Sequence, residues 1–345
     1  MIVICPDSFK GSLTSKEVTS TLSEAFHKKR PKLEILELPL ADGGEETSAI
    51  LSSTFPNVFH LYATDPLGKR IETQFFIDST GKKAFIESAK IIGLPLVTYK
   101  ERNPLKTSSF GLGEVINEAL RLGCNDIIVS LGGSATCDGG LGMLKALNHT
   151  YLNANFTILC DVDNPLLGMN GAAKIFAPQK GAKPEDIPIL EKRLENLVEE
   201  AKKRGLYNKG DEFKAGSGAA GGLGFAFQTF LKAKSIKGID FILKKLKFSE
   251  LIRNAQLIIT GEGKLDSQSL MGKVLSGVLE EAKNQDIPVI AIGGLVEDET
   301  KLLEAGLQKV YSISDPNKTL EENMLPETAI TNLHRIAELI ELPKH

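Results

Sequence analysis

The fold is decided at the amino terminus by the stretch MIVICPDSFKGSLTSKEVTSTLSEAFHKKRPKLEILEL, residues 1–38. Its first apolar run, Ile2–Cys5, has the length and composition of a buried strand. Thr14 and Glu17 have the spacing of a capping box, which predicts the start of a helix. A proline ends that helix before the second apolar run, Leu33–Leu38. The stretch therefore predicts a β-α-β unit, the repeating element of a parallel sheet.

The same alternation returns near the other end of the chain. Helical stretches separate three short apolar runs there, namely Leu257–Thr260, Val289–Ile292 and Val310–Ile313. Strands that alternate with helices are typical of a parallel sheet covered on both faces. We therefore expect an α/β protein in which both chain ends build one doubly wound parallel sheet.

The middle of the chain has a different pattern, which indicates a second, inserted domain of mixed α/β type. Polar turns join three runs that favour antiparallel strands: Val58–Ala63, Ile71–Phe76 and Ala84–Glu87. A further strand, Ile127–Leu131, fits either domain. From the change of pattern we expect residues 1–57 and 253–345 to form the sheet domain and residues 58–252 the inserted domain, with a cleft between them.

Composition and charge exclude several classes of protein. Hydrophobic residues make up 42% and charged residues 25% of the 345, and the formal net charge is −3, so nucleic acid and membrane surfaces are not expected partners. The four cysteines lie far apart and suggest neither a zinc site nor a disulfide framework. No run of eighteen apolar residues occurs. We expect a cytoplasmic protein whose partners are small molecules.

Glycine-rich turns that carry acidic, hydroxyl or basic side chains are the most informative feature. They are predicted at residues 7–12, 41–45, 132–140 and 261–267. Ligands of open α/β sheets bind at the carboxyl ends of the strands, and glycine lets backbone N–H groups approach phosphate closely. Acidic residues repel phosphate unless a divalent cation lies between them, so the mixture favours a magnesium-bound nucleotide. The alternative is that each turn only reverses the chain.

The standard nucleotide-binding motifs do not fit. Met271–Val274 lacks the upstream glycine and the hydroxyl of a P-loop. Gly216–Gly221 matches G-x-G-x-x-G, but the polar Gly210–Ala215 precedes it in place of a strand. An NAD-dependent dehydrogenase would depend on that match alone, whereas a glycine-rich helix start that binds phosphate stays open.

Two carboxylates follow the apolar run Phe156–Leu159. Asp161 and Asp163 lie on the same side of an extended segment, where they could share a metal or provide a general base. The alternative is an Asx turn that leads into Pro165. None of the five histidines lies in a glycine-rich turn, so histidine catalysis is not favoured.

These motifs resemble those of the bacterial glycerate kinase family, the type I glycerate 2-kinases. The resemblance covers almost the whole chain in the family's order. Its motifs are residues 6–12, 41–45, 132–136 with 138–140, 160–165, 178–182, 216–222, 260–263 with 266–268, and 272–274. It implies a Rossmann- or flavodoxin-like domain built from both chain ends that carries a large inserted domain. It further implies an ATP-dependent kinase that uses Mg²⁺ and converts D-glycerate to a phosphoglycerate, usually the 2-phosphate, and it leaves a homodimer possible.

Phosphoryl transfer needs in-line positioning and cancellation of negative charge, which suggests roles for individual residues. We expect Lys10 to neutralise phosphate, Asp161 or Asp163 to accept the hydroxyl proton, and Asp138 and Asp266 to bind magnesium. The candidates for substrate or phosphate binding are Asp42, Gly132, Gly133, Ser134, Thr136, Lys180, Gly261, Glu262, Ser267 and Lys273.

The chain departs from the family pattern at three places. Glu46 replaces a glycine, Cys137 replaces an asparagine, and the segment Asn148–Asn155 is short, which we expect to bear on oligomer contacts or substrate access more than on the chemistry. The departures permit one alternative function, a regulator that senses glycerate or nucleotide without turnover.

Overall fold

The computed structural model describes residues 1–44, 46–147 and 153–343. It divides into two compact units, Met1–Asp42 with Gly238–His345 (the terminal unit) and Gly43–Lys237 (the inserted unit). The sequence pattern placed the boundaries at 57/58 and 252/253 instead. The difference at the first boundary arises because Phe55 packs on Phe85 of the inserted unit, with ring centroids 5.7 Å apart.

The described residues form eleven strands and fourteen α-helices. The strands are β1 (Ile2–Ile4), β2 (Ile35–Glu37), β3 (Asn57–Thr64), β4 (Arg70–Ile77), β5 (Lys83–Glu87), β6 (Asp126–Ser130), β7 (Asn155–Leu159), β8 (Lys234–Ile236), β9 (Leu257–Leu265), β10 (Val289–Val296) and β11 (Lys309–Ser312). The helices are α1 (Ser15–Lys29), α2 (Thr47–Ile50), α3 (Ala89–Ile92), α4 (Phe110–Arg121), α5 (Leu141–Ala146), α6 (Ala172–Phe176), α7 (Ile187–Lys203), α8 (Ala219–Phe225), α9 (Gly238–Leu246), α10 (Phe248–Leu251), α11 (Val274–Lys283), α12 (Glu299–Glu304), α13 (Leu320–Met324) and α14 (Pro326–Leu339).

The terminal unit contains a parallel sheet in the order β11-β10-β9-β1-β2. The chain moves from β1 to β2 in one direction and from β9 through β10 to β11 in the other. Right-handed crossovers therefore place α1 and α11 on opposite faces. Numbered within the unit, the order is 2-1-3-4-5, which is the flavodoxin-like arrangement. The predicted α/β class and the doubly wound sheet from both chain ends are confirmed.

The predicted capping box fixes the start of α1. The Thr14 hydroxyl accepts a hydrogen bond from the Glu17 backbone N–H at 3.1 Å, and the Glu17 carboxylate accepts one from the Thr14 N–H at 2.8 Å. The apolar side of α1 is buried together with α14 against the sheet, through Val18, Leu22 and Phe26. This start determines where the turn between β1 and α1 ends.

The inserted unit contains a mixed sheet in the order β3-β4-β5-β6-β7-β8. Its first three strands pair antiparallel, as predicted, and its last four pair parallel. The strand that the sequence left unassigned is β6, at the centre of this sheet. The apolar face of α4 packs on it, with Val115 and Ile116 in the same buried cluster as Ile127. The carboxyl ends of β5, β6 and β7 consequently lie side by side.

Candidate active site

The carboxyl ends of β1 and β9 form the first candidate site. These strands are neighbours, and the chain leaves them toward opposite sides of the sheet, which makes this position the topological switch point where α/β sheets bind ligands. The N–H of Asp7 donates to the carbonyl of Gly261 at 2.8 Å and holds the first turn against β9. Side chains at the ends of both strands are therefore brought together.

The prediction of a glycine-rich turn at residues 261–267 is wrong for residues 261–265, which belong to a strand. Strand β9 continues to Leu265 because β10 pairs with it as far as Val296. A Cβ added at Gly261 would lie 2.0 Å from the carbonyl oxygen of Ile292, so this glycine allows two strands to approach each other. The turn itself begins at Asp266, whose carboxylate accepts the Gln268 N–H at 2.8 Å and caps a 3-10 turn over Ser267–Leu270.

Three acidic side chains gather at the switch point. Asp7 is only 4% exposed, and its burial, followed by the negative charge of Asp42, raises its pKa from 3.8 to about 7; Glu262 adds to this effect. The N–H of Ser8 donates to the Asp7 carboxylate at 2.7 Å and opposes it. The sequence interpretation had given Asp7 no role, although it lies directly after the β1 run. Burial, which made it distinctive, is not visible in the motif.

Two lysines face these acids. The Lys10 Nζ lies 3.5 Å from an Asp42 carboxylate oxygen, and the Lys273 Nζ lies 3.1 Å from Oε2 of Glu262. Glu262 is 7% exposed, and its other oxygen, Oε1, is buried without a hydrogen-bond partner among the described residues. An orphaned carboxylate oxygen of this kind can accept a donor or contact a cation. The site thus combines fixed positive charge with unsatisfied negative charge.

A cavity of about 330 Å³ opens beside these groups within the terminal unit. Its lining includes the polar side chains of Asp7, Lys10, Glu262 and Lys273, which we call the polar end. Apolar side chains from β10, from the end of β11, from α13 and from the turn after β1 line it as well. The volume is in the range of pockets that bind small ligands.

The second candidate site lies at the carboxyl end of β6 in the inserted unit. The turn Gly132–Thr136 follows this strand, and Lys180 is buried against it with 2% exposure. The Lys180 Nζ donates to the hydroxyl of Ser134 at 2.9 Å and to the carbonyl of Thr136 at 2.7 Å. Burial lowers the pKa of Lys180 to about 8, against the opposing effects of Cys137 and Asp138. Thr136 Oγ1 is buried without a partner in the described part of the chain.

Asp138 is bound by donors from the protein itself. Its carboxylate accepts hydrogen bonds from the N–H and hydroxyl of Ser109, both at 2.9 Å, and from the N–H groups of Gly140 and Gly142, both at 3.0 Å. Three of these bonds end on Oδ2 and one ends on Oδ1, so most of the accepting capacity of the carboxylate is used. They fix the starts of α4 and α5 relative to the turn after β6.

Asp161 and Asp163 follow β7 at the same edge of the inserted sheet. Asp163 is exposed and Asp161 is partly buried. The G-x-G-x-x-G match packs beside this segment, since the N–H of Gly218 donates to the carbonyl of Asn164 at 2.9 Å. A 3-10 turn at Asp211–Phe213 precedes the match, so the strand that a dinucleotide fold requires is missing there.

A buried carboxylate that the sequence did not single out lies at the end of β5. Glu87 is 3% exposed and bonds the Lys90 Nζ at 2.6 Å as well as the N–H and hydroxyl of Ser48, both at 3.0 Å. Its neighbour in β6 is Ser130, two residues before Gly132. The sequence signal that could have identified Glu87 is an acidic residue at the end of an apolar run.

The structure thus divides the predicted residues between two units. The terminal unit carries Lys10, Asp42, Gly261, Glu262, Asp266, Ser267 and Lys273; the inserted unit carries Gly132, Gly133, Ser134, Thr136, Asp138, Asp161, Asp163 and Lys180. Within residues 1–44, 46–147 and 153–343, no three acidic, histidine or cysteine side chains form a group that could hold a metal alone. No α-helix in these ranges has the length and apolar character needed to cross a bilayer.

A flavodoxin-like sheet with lysines and carboxylates at its switch point defines the class as an α/β enzyme that handles phosphorylated ligands. Comparison with known proteins identifies the family. The model of the Glycerate kinase family matches residues 2–155 and 148–342, and the chain belongs to this family.

Individual relatives agree with this assignment. Glycerate 2-kinase of Escherichia coli (strain K12) is 38% identical, with 93% of this chain and 92% of that protein covered. Glycerate kinase of Bacillus subtilis (strain 168) is 36% identical with the same coverage. A crystal structure assigned as glycerate kinase 2 from Salmonella typhimurium LT2 superimposes with a TM-score of 0.78 at 35% identity, and covers 98% of this chain and 97% of its own. The protein is a kinase, as the resemblance implied.

Proposed function

We propose that the protein transfers the γ-phosphoryl group of Mg-ATP to a hydroxyl of D-glycerate and forms 2-phosphoglycerate. The names of its relatives support the acceptor. The observation that carries the proposal is the pair of lysines, Lys10 and Lys273, set beside buried acids at the rim of the switch-point cavity. Such an arrangement suits the stabilisation of charge on a transferring phosphoryl group.

In this proposal the terminal unit binds the phosphoryl donor. Lys10 and Lys273 neutralise phosphate oxygens, and the polar end of the cavity orients the chain of phosphates. Mg²⁺ fits this end, because it prefers carboxylate oxygens and Glu262 Oε1 has no protein partner. Glu262 and Asp7 would hold it, with Asp266 as a further candidate, and phosphate and water would supply the other ligands, as is usual for Mg²⁺. When bound, the ion cancels negative charge on the phosphates.

The inserted unit binds glycerate in this proposal. The N–H groups of Gly132 and Gly133 and the hydroxyl of Ser134 provide donors for its carboxylate, and Lys180 keeps that turn in place. Thr136 offers an unpaired buried hydroxyl beside them. Asp138 was predicted to bind the metal; since its oxygens already accept four hydrogen bonds, we propose that it shapes the turn.

The proposed step breaks the bond between the γ-phosphorus and its bridging oxygen, and the electron pair leaves with ADP. The hydroxyl oxygen of glycerate forms the new bond to phosphorus, and its proton passes to the carboxylate of Asp161 or Asp163. Both carboxylates are accessible enough to meet a substrate. Positioning, rather than a strong nucleophile, supplies most of the rate.

Phosphorus NMR of a reaction with ATP, magnesium and D-glycerate tests the proposal. We expect the signals of ADP and 2-phosphoglycerate to grow together. Binding of both ligands without turnover would favour the regulator that senses them. Lys10→Met should lower kcat/KM by about a hundredfold, whereas Lys203→Met, at an exposed position of α7, should leave it unchanged. Comparing Asp161→Asn with Asp163→Asn assigns the proton acceptor, because only its loss removes the acidic limb of the pH profile of kcat.

We also propose that the protein is cytoplasmic and acts without nucleic acid or membrane partners. All four cysteines are free and buried, which suits a reducing compartment. A homodimer stays a prediction, which sedimentation equilibrium would test.

A further inference from the structure

Part of the lining of the switch-point cavity is apolar. Phe9, Leu295, Ile313, Leu320 and Met324 provide it, and we call these five residues the apolar half. Among them, Leu320 is 60% exposed. A capping box between Thr319 and Glu322 fixes α13, so the exposed leucine is held in place.

The polar side chains beside the apolar half are already engaged within the protein. The Asn323 Oδ1 accepts the N–H of Asp315 at 2.8 Å, and its Nδ2 donates to the carbonyls of Asp315 at 3.1 Å and Thr319 at 3.0 Å. The Ser314 hydroxyl donates to the carbonyl of Gly294 at 2.6 Å. Both side chains line the cavity, but their hydrogen-bonding groups hold the loop between β11 and α13.

The backbone donors after β11 are engaged as well. The N–H of Ile313 bonds the carbonyl of Gly293 at 2.9 Å, and the N–H of Ser314 bonds the hydroxyl of Ser312 at 3.2 Å. The next N–H, at Asp315, is the one that Asn323 accepts. Three successive backbone donors are thus unavailable to a ligand beside the apolar half.

The unpaired polar atoms of the cavity belong to other residues. The buried Oε1 of Glu262 and the buried hydroxyl of Ser12 line the same cavity and have no partner in the described residues. The lining therefore combines charged and unsatisfied groups with apolar side chains, beside which the side chains of Asn323 and Ser314 are already bonded. A nucleoside triphosphate combines charged phosphates with a flat aromatic base in the same way. Glycerate, with a carboxylate and two hydroxyls on three carbons, offers no apolar part to these side chains.

We propose that the apolar half is the base subsite of the phosphoryl donor and holds the base by packing alone, so that nucleoside triphosphates with different bases are used with similar efficiency. The inference rests on the proposed function, because it assigns the donor to this cavity. Recognition of a base edge requires donors or acceptors that are free to pair. A site built to hydrogen-bond its ligand rejects an analogue by about 10⁴-fold, whereas an apolar pocket discriminates by about 10-fold to 100-fold.

The first test compares ATP, GTP, CTP and UTP as donors with saturating D-glycerate and magnesium. We expect their values of kcat/KM to lie within about tenfold of one another, as packing differences alone allow. A preference of a thousandfold for one base would overturn the proposal, because it would require hydrogen bonds that the apolar half lacks.

The second test substitutes one residue of the apolar half. Leu320→Asn changes no charge, and the substituted residue is in the first turn of α13. The variant should have a KM about fivefold to tenfold higher for every nucleotide, because packing against the base is lost, and an unchanged KM for glycerate. The matched control is Leu325→Asn, since Leu325 is 56% exposed between α13 and α14 and does not line the cavity. Equal KM values for nucleotides in Leu320→Asn and Leu325→Asn would refute the proposal that the apolar half binds the base.

Nucleotide binding without glycerate separates this inference from the proposed function. Saturation-transfer NMR with ATP should show contacts to the base protons that weaken in Leu320→Asn. If these contacts are found but glycerate is not phosphorylated, the proposed function fails and the subsite stands. If glycerate is phosphorylated but the contacts do not depend on Leu320, the subsite fails and the function stands.

Discussion

Asp7→Asn should make the protein more stable at pH 8 and less active. Burial and the neighbouring Asp42 raise the pKa of Asp7 from 3.8 to about 7. Between these pH values the native carboxyl binds a proton that the unfolded chain releases, so the native state loses stability as pH rises through the interval. At about 1.4 kcal/mol per pH unit, the loss reaches about 4 kcal/mol at pH 8, and relaxation around the charge reduces it to about 2–4 kcal/mol. Asparagine never ionises and still accepts the Ser8 N–H.

Urea denaturation of both proteins at pH 5 and pH 8 measures this effect. Hydrogen exchange of peptides from β1 shows whether the change lies in the terminal unit. The difference in unfolding free energy should grow with pH, and Asp42→Asn should reduce it, because it lowers the pKa of Asp7. Asp78→Asn is the matched control, because the pKa of Asp78 is shifted in the opposite direction to that of Asp7. Although burial opposes them, hydrogen bonds from Lys83, Thr80 and Lys82 hold the pKa of Asp78 below its usual value, so this variant should lose stability. A constant difference between wild type and Asp7→Asn from pH 5 to pH 8 would refute the account of Asp7.

Three further predictions concern the inserted unit. Burial lowers the pKa of Lys180 from 10.5 to about 8, so between these values the unfolded state binds more protons and the wild type gains stability as pH rises. Relative to Lys180→Met this gain should be about 3 kcal/mol between pH 8 and pH 10.5 in urea denaturation, and a pH-independent difference between the two proteins would show that burial does not lower the pKa of Lys180. Gly221→Ala should prevent stable folding, because its Cβ would lie 2.0 Å from the carbonyl oxygen of Thr136. The control Gly123→Ala has a similar positive φ but open space around the new Cβ, and it should cost only about 1 kcal/mol of unfolding free energy. Equal decreases of the melting temperature in the two variants would contradict this. Glu87→Gln should cost about 2 kcal/mol by weakening its charged hydrogen bonds, and an unchanged urea midpoint would show that they contribute nothing.

Local patterns in the sequence were sufficient for most of the fold. The β-α-β opening and its capping box depend on residues within a few positions of one another, and both were predicted correctly. The alternating apolar runs at the two ends also predicted the parallel sheet, because right-handed crossovers leave few ways to connect such strands. These features need no knowledge of distant contacts.

The errors and omissions arise where distant segments decide the outcome. Strand β9 runs past the predicted turn because β10, from a later part of the chain, pairs with it. Asp7 was not recognised because its pKa depends on burial and on Asp42, a residue from another turn. Lys180 was a candidate for phosphate binding because a glycine follows it, and only the folded inserted unit shows that its ammonium group is buried against Ser134. Site chemistry is harder to predict than fold for this reason.

The charges at the switch point explain why a buried Asp7, which lowers the stability of the native state, fits the binding of a metal-bound phosphate. With Asp7 protonated, the two lysines balance Asp42 and Glu262, and the cavity carries no net charge from these five groups. When Asp7 ionises near pH 7, the same five groups carry one net negative charge. A bare triphosphate would meet this charge as a repulsion, whereas a triphosphate that brings its own divalent cation meets it as an attraction. Folding alone would favour asparagine at position 7, so the instability that Asp7 introduces is best understood as a property of ligand binding.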